Sequence, residues 1–543
     1  MMFDRAEGVR RLAAEPFDVV VIGGGITGVG CALDAASRGL RTALVERHDF
    51  ASGTSSKSSK LVHGGLRYLQ QREIRLVYEA LAERQVLRRI APHLVRVQPF
   101  LLPVFTSDGL INRRLARALG TAMWMYDMTG GLRIGKLHKR ISKDQAVAHM
   151  PTLRESRLAS AYLYYDARTD DARLTLTIAK TAAEHGAAVV NDAAVVGFDK
   201  DAGGRVQGVR VVVDGTEVLV RARTVVNATG VWSDNVRALD EGRNPDSIRP
   251  AKGVHITVPW AKVRNDIAAV IPVPKDRRSV FVVPWGDFTY VGTTDTDYDG
   301  PLENPQCTPE DIAYLLRAIN GAITTPLTES DILGTWAGLR PLVKDAGSER
   351  TADLSRRHSV TTSDSGVVTV TGGKLTTYRR MASDTIDTVV HTLGVKARSR
   401  TARLPLSGAN GWDTGETAGS PSHLASRYGS NRSAIRRLVE EHPELAEPIV
   451  PGLEYSKAEV VYAASNEMAR SVDDVLARRT RARLLARDAS AEAAAEVARL
   501  IAPILGWTTE EQEASTAAYR ALVDAERTAA HLPETALDAA LGA

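Results

Sequence analysis

Val19 to Ile22 is a β-branched run with no polar alternation, broken at once by glycines. A run of that kind reads as a strand buried on both faces, the signature of a parallel sheet. Thr27 to Arg38 then carries helical periodicity, and Thr42 to Val45 reads as a second strand, which completes a strand–helix–strand unit. Ile74 to Arg89 reads as a helix with arginines on several faces, and Ala187 to Val220 as strand–turn–strand with the hairpin signals DAGG and DG. An apolar strand within Ala222 to Asp234 ends at Ala228, Thr229 and Gly230. In Gly366 to Ala382 a strand ends in a Gly-Gly pair and a helix starts at Leu375. Beyond about Ser407 the stretch SGANGWDTGETAGSPS reads as a loop, and the remainder of the chain is rich in Ala, Glu and Arg with helical periodicity. The pattern predicts an α/β chain: a discontinuous, Rossmann-like nucleotide domain, a second domain over it and an all-α C-terminal domain.

Composition narrows the class. A length of 543 residues predicts two or three domains, and 44% hydrophobic with 25% charged residues is the profile of a soluble globular protein. The net charge of +4 demands no nucleic acid, although a mildly basic surface suits an anionic substrate or membrane face. Cys31 and Cys307 are far apart and lack ligand spacing, which argues against a disulfide framework or a metal site. The start, MMFDRAEGVRR, has no apolar h-region, and no run of about 18 apolar residues predicts a membrane span.

Candidate chemistry gathers at the glycines. Gly23, Gly25 and Gly28 have the spacing that allows a tight turn, a close approach to a pyrophosphate and close helix–strand packing. Glu46, at the end of the second strand, is placed to accept hydrogen bonds from a ribose; an acid there favours FAD or NAD over NADP. The hydroxyl-rich HDFASGTSSKSSK, His48 to Lys60, comes directly after that strand and is expected along the cofactor. KLVHGGLRYLQ, beginning at Lys60, puts Arg67 beside a Gly-Gly pair, where its fork could hold a carboxylate or phosphate. Lys374 falls at a helix N-terminus, where dipole and ammonium both stabilise an anion. The run LARRTRARLLAR, Leu476 to Arg487, reads as a charged helix face, with binding to an anionic surface as the alternative.

The motifs VIGGGITGVGCALDAASRG, TSSKSSKLVHGGLRYL, KGVHITV, VGTTDTD, WAGLRPL, TGGKLTTYR and SNEMARSVDDVLARRTR, in this order, resemble the FAD-dependent respiratory glycerol-3-phosphate dehydrogenases of the D-amino-acid-oxidase-like flavoprotein superfamily. The resemblance implies oxidation of sn-glycerol 3-phosphate to dihydroxyacetone phosphate, with electrons passing to a membrane quinone. It also implies cytoplasmic placement with peripheral membrane contact, a homodimer and no nucleic-acid partner. The expected division is an FAD-binding domain over 1–90, 160–250 and 341–400, a β-rich substrate cap over 91–159 and 251–340, and the helical domain over 401–543.

By the same resemblance, Ile26 and Thr27 join the three glycines against FAD, together with Glu46, Arg47, Thr54, Ser55, Ser58 and Ser59. Leu61, His63, Gly64, Gly65 and Ala194 are implied as further cofactor contacts, as are Ala228, Thr229, Gly230 and Trp232, and Gly372, Gly373, Lys374, Leu375 and Thr376. Arg67, Arg340 and Lys374 match active-site cations, Tyr68 adds a hydroxyl, and His255 matches a histidine whose ordinary pKa suits a general base. Which arginine grips phosphate is left open. ADLSRRHSV departs from the family pattern; Arg356 and Arg357 are both candidates there, Arg357 being preferred. The rival readings are an α-glycerophosphate oxidase using oxygen, a flavin-dependent amino-acid oxidase, and a non-catalytic flavoprotein that binds RNA or membrane through its arginine-rich tail.

Overall fold

Val19, Val20 and Val21 have no exposed surface, so both faces of their strand are covered. The computed structural model describes residues 3–65, 73–106, 120–121, 123–128, 134–274, 276, 278–344, 358–412 and 422–542. In it the strand Phe17–Ile22 runs parallel to Thr42–Val45 on one side and to Thr216–Asn227 on the other. Val368–Gly372 and Ala188–Val190 extend this sheet in parallel, and His358–Thr362 closes one edge antiparallel. The helix Ile26–Ser37 packs between the helices Asp171–Glu184 and Tyr378–Leu393. A Cβ at Gly30 would lie 2.8 Å from the Tyr378 ring, so glycine is what lets two of these helices close up.

Ala193–Lys200, Val206–Val213 and Thr216–Asn227 form an antiparallel meander. Its second turn places Asp214 at φ 48° and Gly215 at φ 76°, the two left-handed residues that the DG signal calls for.

The second, ten-stranded sheet is built around Ile248–Pro259, which pairs antiparallel with Gly334–Val343 over ten positions and with Phe288–Gly292 on its other side. Arg96–Phe105, Leu158–Arg168 and Leu61–Val62 complete its far edge. Residue 160 falls inside the strand Leu158–Arg168, which belongs to this sheet, and so do Leu61–Val62 and the end of Gly334–Val343.

The C-terminal region is helical, with Lys457–Asn466, Ala494–Leu505 and Thr509–Ala529 packed around Val460, Val497, Ile501 and Tyr519. Its arginine-rich run is not a solvated helix face. Asp474–Arg479 is a wide turn, Arg481 sits at φ 78°, and a new helix, Ala482–Leu485, comes next. Arg479, Arg481 and Arg487 are each at most 1% exposed. Arg479 forks onto Asp49 at 2.7 and 2.8 Å, Arg478 joins the same carboxylate at 2.5 Å, and Arg481 pairs with Asp171 and, at 3.2 Å, with Asp170. These carboxylates belong to the nucleotide half of the chain, hundreds of positions away, and no local pattern reveals them. The pairing also removes the cationic surface on which the RNA- or membrane-binding reading rested.

Candidate functional site

The turn after Phe17–Ile22 is held by glycine geometry. Gly23 adopts φ 108° and donates to the Val45 carbonyl at 2.9 Å; a Cβ at Gly28 would lie 1.8 Å from the Gly23 carbonyl oxygen. Gly25 caps the helix Ile26–Ser37 with no side chain of its own, and Ser55 Oγ accepts from the Ile26 amide at 2.9 Å. A Cβ at Gly25 would meet nothing but that hydroxyl, at 3.2 Å, so open space faces the amides that bind phosphates elsewhere. Glu46 accepts from the Gly24 amide at 2.5 Å and the His48 amide at 2.8 Å. Burial pushes its carboxyl above the usual range despite those two donors.

From here a cleft of about 490 Å³ runs to the second sheet. That volume is within the roughly 300–1,000 Å³ of small-molecule and cofactor sites. At its far end the loop Gly372–Gly373 has φ 73° and 82°, and Lys374 comes next as the cap of the short turn Leu375–Thr377. His255 and Arg340 reach the same end from paired strands.

Small neighbours make room for both side chains. A Cβ at Gly292 would lie 2.1 Å from His255 Cδ2, and one at Gly253 would lie 2.5 Å from an Arg340 nitrogen. The His255 ring stacks on Trp336, 4.7 Å between centroids and 8° from parallel, and its Nε2 is 2.9 Å from Ser59 Oγ. Its buried Nδ1 has no partner among the described residues. Burial, then the charges of Lys60 and Arg340, hold its pKa well below the ordinary value, so the imidazole is neutral. Arg340 is paired with Asp295 at 3.0 Å and donates to Thr293 Oγ1 and the Thr294 carbonyl, both at 3.2 Å.

Most of the residues expected from sequence reach the cleft. Gly23, Gly25, Ile26, Thr27, Glu46, Arg47, Thr54, Ser55, Ser58, Ser59, Leu61 and His63 line it, and so do Ala228 to Gly230, Trp232 and Gly372 to Thr376. Gly28 lies behind the turn, and Gly64 is packed against Leu81 and Tyr126. Gly65, at φ 78°, does not line the cleft. Ala194 does not line it either; on that strand the alternation presents Ala193 and Val195 instead. Arg67, Tyr68, Arg356 and Arg357 lie outside the described residues. Sequence reasoning passed over Trp336, Thr293 and Asp295. VGTTDTD and WAGLRPL contain them, but only strand pairing shows which residues they serve.

Comparison with known proteins agrees with this geometry. Residues 18–379 match the family described as FAD dependent oxidoreductase, and residues 399–512 match the C-terminal domain of alpha-glycerophosphate oxidase. Glycerol-3-phosphate dehydrogenase 2 of Mycobacterium tuberculosis is 43% identical over 539 residues, 96% of this chain and 90% of that protein. The chain belongs to the FAD-dependent glycerol-3-phosphate dehydrogenases. The mitochondrial glycerol-3-phosphate dehydrogenase of Homo sapiens is 39% identical, with 90% of this chain and 71% of that one covered. The crystal structure of glycerol-3-phosphate dehydrogenase from Bacillus halodurans, complexed with FAD, superposes with a TM-score of 0.76 at 30% identity, covering 97% of both chains. L-alpha-glycerophosphate oxidase from Mycoplasma pneumoniae shares the fold, with a TM-score of 0.56 at 16% identity over 71% of this chain and 97% of that one. As a dehydrogenase of this family the chain takes FAD. The glycine-capped helix N-terminus that lines the cleft, the acid at the end of the second strand and the glycines of both cleft-lining turns fit that cofactor.

Proposed function

We propose that this protein oxidises sn-glycerol 3-phosphate at C2 to dihydroxyacetone phosphate and delivers the electrons to a membrane quinone. The observation that carries the reading is one continuous cleft lined by the glycine turn, by a neutral histidine, His255, and by the cations Arg340 and Lys374. When bound, FAD supplies the hydride acceptor. The helix start at Gly25, Ile26 and Thr27, which lines the cleft, would hold its pyrophosphate, Glu46 its ribose, and Gly372 and Gly373 would let the ring system lie against backbone.

At the substrate end, Arg340 and Lys374 bring two cations to a cleft that must hold a phosphate dianion and stabilise charge on the oxygen that becomes a ketone. Arg67, Tyr68 and Arg357 are proposed to add to that grip. His255 would accept the hydroxyl proton. Asp295 fixes the Arg340 fork in one orientation, so the substrate meets a cation already placed.

Among the described residues, no helix is long and apolar enough to cross a membrane. The quinone is therefore proposed to be met by peripheral contact at the inner face of the cytoplasmic membrane. The match of residues 399–512 to an oxidase domain keeps oxygen as the second reading for the acceptor. Anaerobic mixing with glycerol 3-phosphate should bleach the flavin absorbance, and an unchanged spectrum would reject the proposal. Reoxidation of the reduced enzyme by a short-chain quinone much faster than by oxygen supports the dehydrogenase, and the reverse order supports the oxidase.

A further inference from the structure

Asp171 opens the helix Asp171–Glu184 with no exposed surface, and five groups converge on its carboxylate. Ser58 donates to it through its amide at 2.9 Å and its hydroxyl at 2.7 Å. Lys60 Nζ donates at 3.1 Å, the Ala172 amide at 2.9 Å, and the Arg481 guanidinium closes the set. Lys60 and Arg481 also share the Ser56 carbonyl, at 3.1 and 3.0 Å. Both are non-glycine residues in the left-handed region, at φ 55° and 78°. Two such conformations persist only where the surroundings over-determine them, and here they meet on one carboxylate.

Two routes lead from this node to the imidazole. Ser58 holds the chain into Ser59, whose hydroxyl is bonded to His255 Nε2 and whose carbonyl accepts from the Tyr290 hydroxyl at 2.9 Å. The Ser58 carbonyl accepts from Trp336 Nε1 at 3.1 Å, and Lys60 Nζ lies 4.6 Å from the centre of the Trp336 ring. Trp336 is the platform on which His255 stacks. The hydrogen bond at Nε2 and the surface that sets the ring plane are thus both anchored at Asp171.

We propose that Asp171, clamped by Arg481 from the helical C-terminal region, is a positioning residue for His255, so that the C-terminal region is part of the active-site machinery. Asp171 itself does not line the cleft; it acts through Ser58, Ser59, Lys60 and Trp336. The inference rests on the reading of His255 as the proton acceptor.

The test uses full-length holoenzyme carrying Asp171→Asn, Arg481→Lys, Ser58→Ala, Ser58→Thr or, as reference, His255→Asn. FAD content is measured first, then the limiting rate and half-saturating substrate concentration of anaerobic flavin reduction by glycerol 3-phosphate. Asp171→Asn and Arg481→Lys should keep FAD and lower the limiting rate at least about tenfold, with half-saturation changed less than about threefold. Ser58→Ala, which spares the buried ion pairs, should lower the rate about fivefold, and Ser58→Thr should restore it. If the ion-pair variants do not fold, the Ser58 pair decides. Rates within about twofold of native in every folded variant would overturn the proposal, as would rate losses that track lost FAD one for one. A native rate in His255→Asn would instead reject the base assignment, so the two failures are told apart.

Discussion

Burial keeps His255 neutral, as its proposed role of proton acceptor requires, and the same physics makes another buried histidine a liability. His93 is 1% exposed and neither ring nitrogen has a partner among the described residues. Burial, reinforced by the charges of Arg96 and Arg173, lowers its pKa from 6.5 to about 4. The unfolded chain takes up that proton near the ordinary value while the folded chain does not, so the sign is destabilising as pH falls. Above about pH 6.5 the group is neutral in both states and contributes nothing; between there and about pH 4 it should cost up to about 3 kcal/mol. Denaturant unfolding at pH 7.5 and 5.0 should therefore show a smaller loss in His93→Leu than in the native chain. At Arg340 the fork matters more than the charge. Arg340→Lys should raise the half-saturating concentration of glycerol 3-phosphate about tenfold, or about 1.4 kcal/mol, read from the same anaerobic titration. Histidine and arginine were legible in KGVHITV and WAGLRPL as residues. Their partners were not, because Trp336 meets His255, and Asp295 meets Arg340, only through pairing of separated strands and the loop beyond.

At the scale of elements, the strand–helix–strand unit was readable almost to the residue. A doubly buried strand and a glycine turn are local devices: Thr42–Val45 ends where the pattern places it, and the helix starts one position early, at Ile26. Edges assigned by segment were less readable. Leu158–Arg168 joins the sheet of Arg96–Phe105 through non-local pairing that no periodicity encodes. One glycine separates fold from chemistry. Gly292→Ala would press a methyl into the His255 ring while leaving the strand pairing in place, since alanine is tolerated in strands. The variant should bind FAD normally and reduce it at least about a hundredfold more slowly, measured by absorbance and stopped-flow.

Across the whole molecule, the largest misreading concerned the arginine-rich tail. Charge runs are commonly solvated, and nothing near Leu476 to Arg487 announces that Asp49, Asp170 and Asp171 await it. The pairs carry a stability consequence. Arg479→Ala strips the fork from a carboxylate that is 2% exposed and should cost about 3–5 kcal/mol, seen as a lower unfolding midpoint of the holoenzyme. FAD should also be lost more readily, because Asp49 sits three positions after Glu46 in the loop that borders the cleft.

The same pairing sets an order of events during biosynthesis. Asp49 leaves the ribosome 430 positions ahead of the arginine that neutralises it, an interval of roughly 20–90 s at ordinary elongation rates. Through that interval the loop bordering the flavin cleft exists without its counter-charges and stays hydrated. A chain truncated before residue 478 keeps every glycine of its nucleotide motif but lacks these counter-charges, and it should hold FAD less tightly than the full chain, as flavin content after gel filtration would measure.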